Sequence, residues 1–187
     1  TIYAPASIGI SFCPGDASDV DKLISNADQA MNASKTSGRN RISYFTRTLQ
    51  ESAQKRLSLI TDMRVAVEKN EFELYFQPII DLNSGRIVKA EALIRWNHPE
   101  HGIISPVEFI PLAEETGLIV GIGDWVFRDA AAKAKRWIDL FNTGVQVSIN
   151  VSPVQFQSET LNITEWLAHL KTLGLDEKYL SIEITEG

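Results

Sequence analysis

The sequence predicts an α/β fold whose strands run parallel and gather oxygen-bearing side chains on one face, as the inward face of a barrel does. Three observations predict it. Apolar and polar residues alternate with period two over residues 87–96, 145–152 and 180–185, the pattern of strands with two unlike faces. Helical patterns separate these segments, and connections of that length belong to parallel strands. Each segment also carries one hard-oxygen side chain on its polar face: Glu91, Asn150 and Glu183.

Alternation by itself fits an antiparallel sheet with one wet face equally well. The long crossovers favour the parallel reading. Parallel sheets are normally covered on both faces, so polar residues on a hidden face need a partner.

The elements follow in order. Residues 7–12 read as a short strand, and residues 19–34 as a helix with Leu23, Ile24, Ala27, Ala30 and Met31 on one side. A polar loop, Lys35-Thr36-Ser37-Gly38-Arg39-Asn40-Arg41, leads to a strand over 42–45. Residues 47–69 repeat Leu49, Ala53, Leu57, Ile60, Arg64 and Val67 at three- and four-residue spacing. That predicts one connecting helix of about 34 Å at 1.5 Å per residue, its apolar stripe a packing face. Signal transmission or dimerisation is the alternative use of that stripe.

Residues 74–80 form the next expected strand, with Gln77 pointing as the later ligands do and Pro78 suited to a strand end. Over 87–96 the even residues Val88, Ala90, Ala92, Ile94 and Trp96 oppose Ile87, Lys89, Glu91, Leu93 and Arg95. Helices are expected over 106–115 and 124–141. Between them Gly121-Ile122-Gly123 follows no strand and lacks the third glycine of a phosphate loop, so it reads as a break and an N-cap. Over 145–152 Val145, Val147, Ile149 and Val151 oppose Gln146, Ser148, Asn150 and Ser152. A helix over 163–173 leads to the last strand, where Leu180, Ile182 and Ile184 oppose Ser181, Glu183 and Thr185.

Two carboxylates and one amide make an oxygen donor set that suits Mg²⁺, Mn²⁺ or Ca²⁺ better than zinc. Simpler roles compete. Glu91 alternates with Lys89 and shares a face with Arg95, which an ion pair on an exposed strand also produces. Asn150 precedes a turn, where asparagine often caps backbone groups. Arg95 offers a planar fork for a phosphodiester, or a bridge to Glu91 when the pocket is empty. His98 and His101 flank a turn and His169 lies on a distant helix, a poor spacing for zinc.

At 187 residues, 44% hydrophobic and 22% charged, the chain has the composition of a soluble globular protein rather than a disordered tail. Residues 1–46 balance four basic against four acidic groups, so the net charge of −6 falls on the rest. An acidic surface argues against a nucleic-acid polymer as partner and leaves a small anionic ligand open. The single cysteine, Cys13, excludes an intrachain disulfide and fits a reducing compartment; it is expected to pack on the first strand. No apolar run approaches the ~18 residues of a membrane span, and the start shows no signal peptide. The expected location is cytoplasmic, with no membrane contact by this segment; an anchor elsewhere in the parent protein stays open.

Five blocks stand in the order and spacing of an EAL domain: Gln77-Pro78, Glu91-Ala92-Leu93-Ile94-Arg95-Trp96, Phe109-Ile110-Pro111-Leu112-Ala113-Glu114, Asn150-Val151-Ser152 with Gln155-Phe156, and Glu183-Ile184-Thr185-Glu186. Residues 71–187 thus resemble the first half of this cyclic di-GMP phosphodiesterase family. The resemblance implies half of a TIM-like (β/α)₈ barrel whose full size is roughly 240 to 250 residues. Ahead of it, residues 1–46 resemble the end of a GGDEF (diguanylate cyclase) domain, departing from the usual pattern at Asn32 and Ser34. Residues 47–70 join the two.

The resemblance also implies roles. Glu91, Asn150 and Glu183 would ligate a two-metal Mg²⁺ or Mn²⁺ site, with Glu91 and Glu186 catalytic, Glu186 by bracing the loop that carries the family's paired aspartates. Gln77, Leu93 and Arg95 would bind substrate. Lys35 and Arg39 match triphosphate-binding positions of the cyclase family. The paired aspartates, the catalytic lysine and a late glutamate would fall beyond residue 187, so the chain is expected to be an inactive piece of a longer enzyme that opens cyclic di-GMP to linear pGpG. GTP at an intact GGDEF domain and a homodimer are further expectations. A receptor that binds cyclic di-GMP without cutting it is the alternative, and a protein-interaction scaffold is a third reading, against which Arg95 and Gln77 count.

Overall fold

In the computed structural model, which describes residues 5–141, 144–157 and 163–184, the chain divides into two units, Thr1–Leu59 and Ile60–Gly187. The first pairs strand β1 (Ile8–Ile10) with β2 (Ile42–Tyr44) in parallel, and helix α1 (Val20–Thr36) supplies the crossover. Asp19 caps α1 by accepting a hydrogen bond from the Lys22 N–H at 3.1 Å. Close approach fixes Gly9: a Cβ there would lie 1.9 Å from the Ala27 carbonyl oxygen.

The buried line of α1 is Asn26, Ala30 and Ser34, not the wholly apolar face expected, and Ile24 is exposed. Polar residues are tolerated there because loop carbonyls meet them. Asn26 Nδ2 donates to the Asp16 carbonyl at 3.4 Å and Ser34 Oγ to that of Arg41 at 2.7 Å. Strand β1 ends early because the chain turns at residues 13–16, where the Phe12 N–H donates to Asp16 Oδ2 at 2.7 Å. Cys13 therefore sits exposed in a turn, not packed on a strand.

Helix α2 (Arg47–Ala66) stops short of the expected end, before a turn in which Asn70 has φ +54°. Its buried residues are Leu59, Met63 and Ala66, whereas Leu57, on the expected stripe, is 66% exposed. Both lines obey three- and four-residue spacing, so periodicity could not choose between them.

In the second unit, β3 (Phe72–Ile80), β4 (Ile87–His98), β6 (Gln146–Val151) and β7 (Leu180–Ile184) lie side by side in that order, and β5 (Gly102–Ile104) adds to β4. β3 and β4 are antiparallel because only residues 81–86 join them. Asp81 tightens that hairpin by accepting from the Ser84 N–H and Oγ, each at 2.7 Å. β4, β6 and β7 are parallel, as the crossovers required. Helices α3 (Pro106–Thr116) and α4 (Ile119–Phe141) make the first crossover, α5 (Pro153–Gln157) and α6 (Ile163–Leu173) the second.

Helix α4 starts at Ile119, so Gly121 and Gly123 lie inside it and form no break. Asp124 does not cap it; its carboxylate accepts from Trp166 Nε1 at 2.9 Å and Arg128 Nε at 2.8 Å. Gly123 is there for closeness: a Cβ would stand 1.9 Å from Gln155 Nε2.

The core lies between the sheet and its helices. Phe72, Leu74, Ala90, Ala92, Trp96, Val147, Ile149 and Val151 are buried on the helix side, with Phe109 and Ala113 of α3 and Val126, Phe127 and Ala130 of α4. Phe127 stacks on Trp166 of α6 at 4.2 Å. The opposite face is open, with Gln77 and Asn150 exposed and Glu91 half-buried. Among the described residues no closed barrel forms. β4, β6 and β7 are parallel, yet their polar face is largely wet, with Ser148 buried on it.

Candidate metal centre

Register brings the expected ligands onto one face. Gln77 pairs with Glu91 across β3 and β4, Glu91 with Ser148 across β4 and β6, and Asn150 with Glu183 across β6 and β7. Strand alternation puts all four side chains on the same side. Asn150 Nδ2 donates to Glu91 Oε1 at 2.8 Å, so the amide holds the acid rather than capping a turn. Turned over, the same amide presents an oxygen to a cation.

Glu183 meets a residue that the sequence did not bring forward. Its Oε1 accepts from Lys89 Nζ at 2.6 Å. That ammonium holds the Glu183 carboxyl below the usual carboxylate range. Parity had placed Lys89 on the face of Glu91, but only the strand order shows that β7 comes within reach of β4.

Two carboxylates and an amide on neighbouring strands suit a hard divalent cation. The set is partial: among the described residues no three His, Cys, Asp or Glu gather to hold a metal by themselves. Glu91, Asn150 and Glu183 therefore fit as one side of a coordination shell.

Arg95 shares this face but does not bridge to Glu91, whose oxygen takes Asn150 instead. Its Nη1 donates to the Ile94 carbonyl at 2.8 Å, and the guanidinium lies 5.4 Å over the ring of Tyr75. Tyr75 was also missed, although it stands two residues from Gln77 and opposite Leu93 in register. Leu93, Arg95 and Asn150 line a cavity of about 380 Å³ at the C-terminal ends of β4 and β6, the end where α/β folds collect ligands. Ser152 closes its polar side, donating from Oγ to Glu114 Oε1 at 2.6 Å and from its N–H to Gln155 Oε1 at 3.0 Å. A second cavity of about 600 Å³, between Phe76, Arg86 and Trp137, is larger but lies at the other end of β4 and away from the carboxylates.

The remaining expected residues lie apart. His98 Nδ1 accepts from the backbone N–H groups of Glu100 at 3.1 Å and His101 at 3.2 Å, while Nε2 faces Asp62 at 3.4 Å, which makes it a turn residue. Lys35, in the last turn of α1, and Arg39, at φ +59°, are exposed in the first unit. Thr185 and Glu186 lie outside the described residues.

Comparison with known proteins places the chain in a family. The model of the EAL domain matches residues 60–187, and that of the diguanylate cyclase GGDEF domain matches residues 1–41. The chain is 39% identical over 182 residues to the bifunctional diguanylate cyclase/cyclic di-GMP phosphodiesterase MucR of Pseudomonas aeruginosa, covering 97% of the chain and 26% of that protein. It is 34% identical over 186 residues to the cyclic di-GMP phosphodiesterase PdeR of Escherichia coli, covering 100% and 28%. The solved structure of the PaMucR phosphodiesterase in complex with c-di-GMP matches with a TM-score of 0.65 at 37% identity, over 70% of this chain and 52% of that one. The chain thus spans about a quarter of the length of these curated relatives.

Proposed function

The chain belongs to the EAL domain family, and from that membership we propose that it forms part of a metal-dependent phosphodiesterase that opens cyclic di-GMP to linear pGpG. The single observation that carries the reading is the shared face of Gln77, Glu91, Asn150 and Glu183, tied by the 2.8 Å contact between Asn150 and Glu91. In this proposal residues 1–46 are the end of a GGDEF domain, residues 47–70 a linking helix and residues 71–187 the first half of the EAL domain.

Glu91, Asn150 and Glu183 would hold a divalent cation, Mg²⁺ or Mn²⁺, with further ligands from the rest of the domain. Bound there, such a cation polarises phosphoryl oxygens and makes water a better nucleophile at neutral pH. The chain's own residues bind and orient the substrate. Arg95 turns its fork from the Ile94 carbonyl to a phosphate oxygen, and the Tyr75 ring keeps it near that position. Leu93 and Gln77 border the bound dinucleotide. Water adds to one phosphorus, the bond to the ribose 3′ oxygen breaks, and that oxygen leaves with a proton as the 3′ hydroxyl. Glu186 is proposed as the brace of the loop that completes the metal shell.

A receptor that binds without cutting is the second reading, against which the shared face of Glu91, Asn150 and Glu183 counts. One experiment separates them: the full-length protein is incubated with cyclic di-GMP and Mg²⁺ or Mn²⁺, with and without chelator. Linear pGpG that disappears with chelator is the expected result. Binding without product would select the receptor.

A further inference from the structure

Each carboxylate of the candidate centre is already engaged by a nitrogen donor: Glu91 by Asn150 at 2.8 Å, Glu183 by Lys89 at 2.6 Å. The two donors differ. Asn150 can turn its amide and offer oxygen, whereas an ammonium has three donors and no acceptor. Lys89 stands two residues before Glu91 on the same face of β4, and β6 lies between it and Glu183. β6 presents Gln146 opposite Lys89 itself and the small Ser148 one same-face position on, opposite Glu91, and the lysine reaches past β6 to Glu183.

We infer that Lys89 is a built-in counter-cation of the candidate metal centre, holding the Glu183 carboxylate and opposing a divalent cation for it. The inference rests on the proposed reading of Glu183 as a ligand. A divalent cation at Glu183 would share one carboxylate with a fixed positive charge. At roughly 5 Å that repulsion weakens binding by about tenfold even at the dielectric constant of water, and by more in a drier site. The opposing effect is the loss of a hold on Glu183. With side chains 24% and 42% exposed, this pair is a weak tether whose removal costs less than the repulsion it relieves. Charge therefore decides the sign.

The test is Mn²⁺ binding to the full-length protein in the absence of nucleotide, read by the electron paramagnetic resonance signal of free Mn²⁺. Lys89→Met and Lys89→Gln are expected to lower the dissociation constant about tenfold, and Lys89→Arg, which keeps the charge, to leave it near wild type. Unchanged or weaker binding in both neutral variants, with Glu183→Gln weakening it, would overturn the counter-cation role alone. Unchanged binding in Glu183→Gln would overturn the ligand reading on which the role depends.

Discussion

Arg95 separates positive charge from geometry at this site. Its guanidinium is committed to a backbone carbonyl 2.8 Å away and to the Tyr75 face, contacts that a phosphate can replace without breaking an ion pair. Arg95→Lys keeps the charge and loses the planar fork, so affinity for cyclic di-GMP should fall about tenfold. Arg95→Ala should lower it about a hundredfold, and because Arg95 makes no bridge to Glu91 the metal affinity should stay unchanged in both. Calorimetric titration with nucleotide and with Mn²⁺ checks the pair; loss of metal binding in Arg95→Ala would place the arginine in the metal shell instead. Lys89 and Tyr75 show why single residues were harder to read than the ligand set. Parity gave the face of Lys89 and passed over Tyr75, and their partners, Glu183 and the Arg95 guanidinium, are set by strand order and rotamer.

Helix α4 carries the clearest difference between local pattern and packing. Two glycines separated by one residue looked like a break, yet both are helical, and they differ in what surrounds them. Nothing lies within 4 Å of a Cβ added at Gly121, while one added at Gly123 would meet Gln155 Nε2 at 1.9 Å. Gly121→Ala should therefore stabilise the fold by up to about 1 kcal/mol through helix propensity. Gly123→Ala should destabilise it by about 1 kcal/mol, since overpacking a buried amide that also holds Ser152 outweighs the same propensity gain. Denaturant unfolding midpoints check both signs, and equal shifts would contradict the packing argument. Strands β4, β6 and β7 were legible because each alternates apolar and polar residues, with helical crossovers between them. β5 and α5 were not: three and five residues are too short to show a period. The face of α2 was misread because two lines fit the same spacing, and only packing selects Leu59, Met63 and Ala66.

The molecule as described has an open sheet with β3 and β7 at its edges and apolar side chains exposed beside them, Ile79, Ile80, Ile182 and Ile184. Uncovered edges with apolar neighbours pair with other chains. The purified 187-residue chain should associate at micromolar concentration. Sedimentation checks this, and a chain that stays monomeric at that concentration would contradict it. The central claim is narrower: the face shared by Glu91, Asn150 and Glu183 holds the cation that hydrolysis needs. Glu91→Gln in the full-length protein tests it most directly, since the amide keeps the shape and a hydrogen-bonding oxygen toward Asn150 but removes the charge. The account predicts that cyclic di-GMP hydrolysis falls by about a hundredfold or more, beyond the loss usual for a residue that only supports a ligand, and that Mn²⁺ binding weakens with it. Hydrolysis and Mn²⁺ binding at wild-type levels in Glu91→Gln would contradict it.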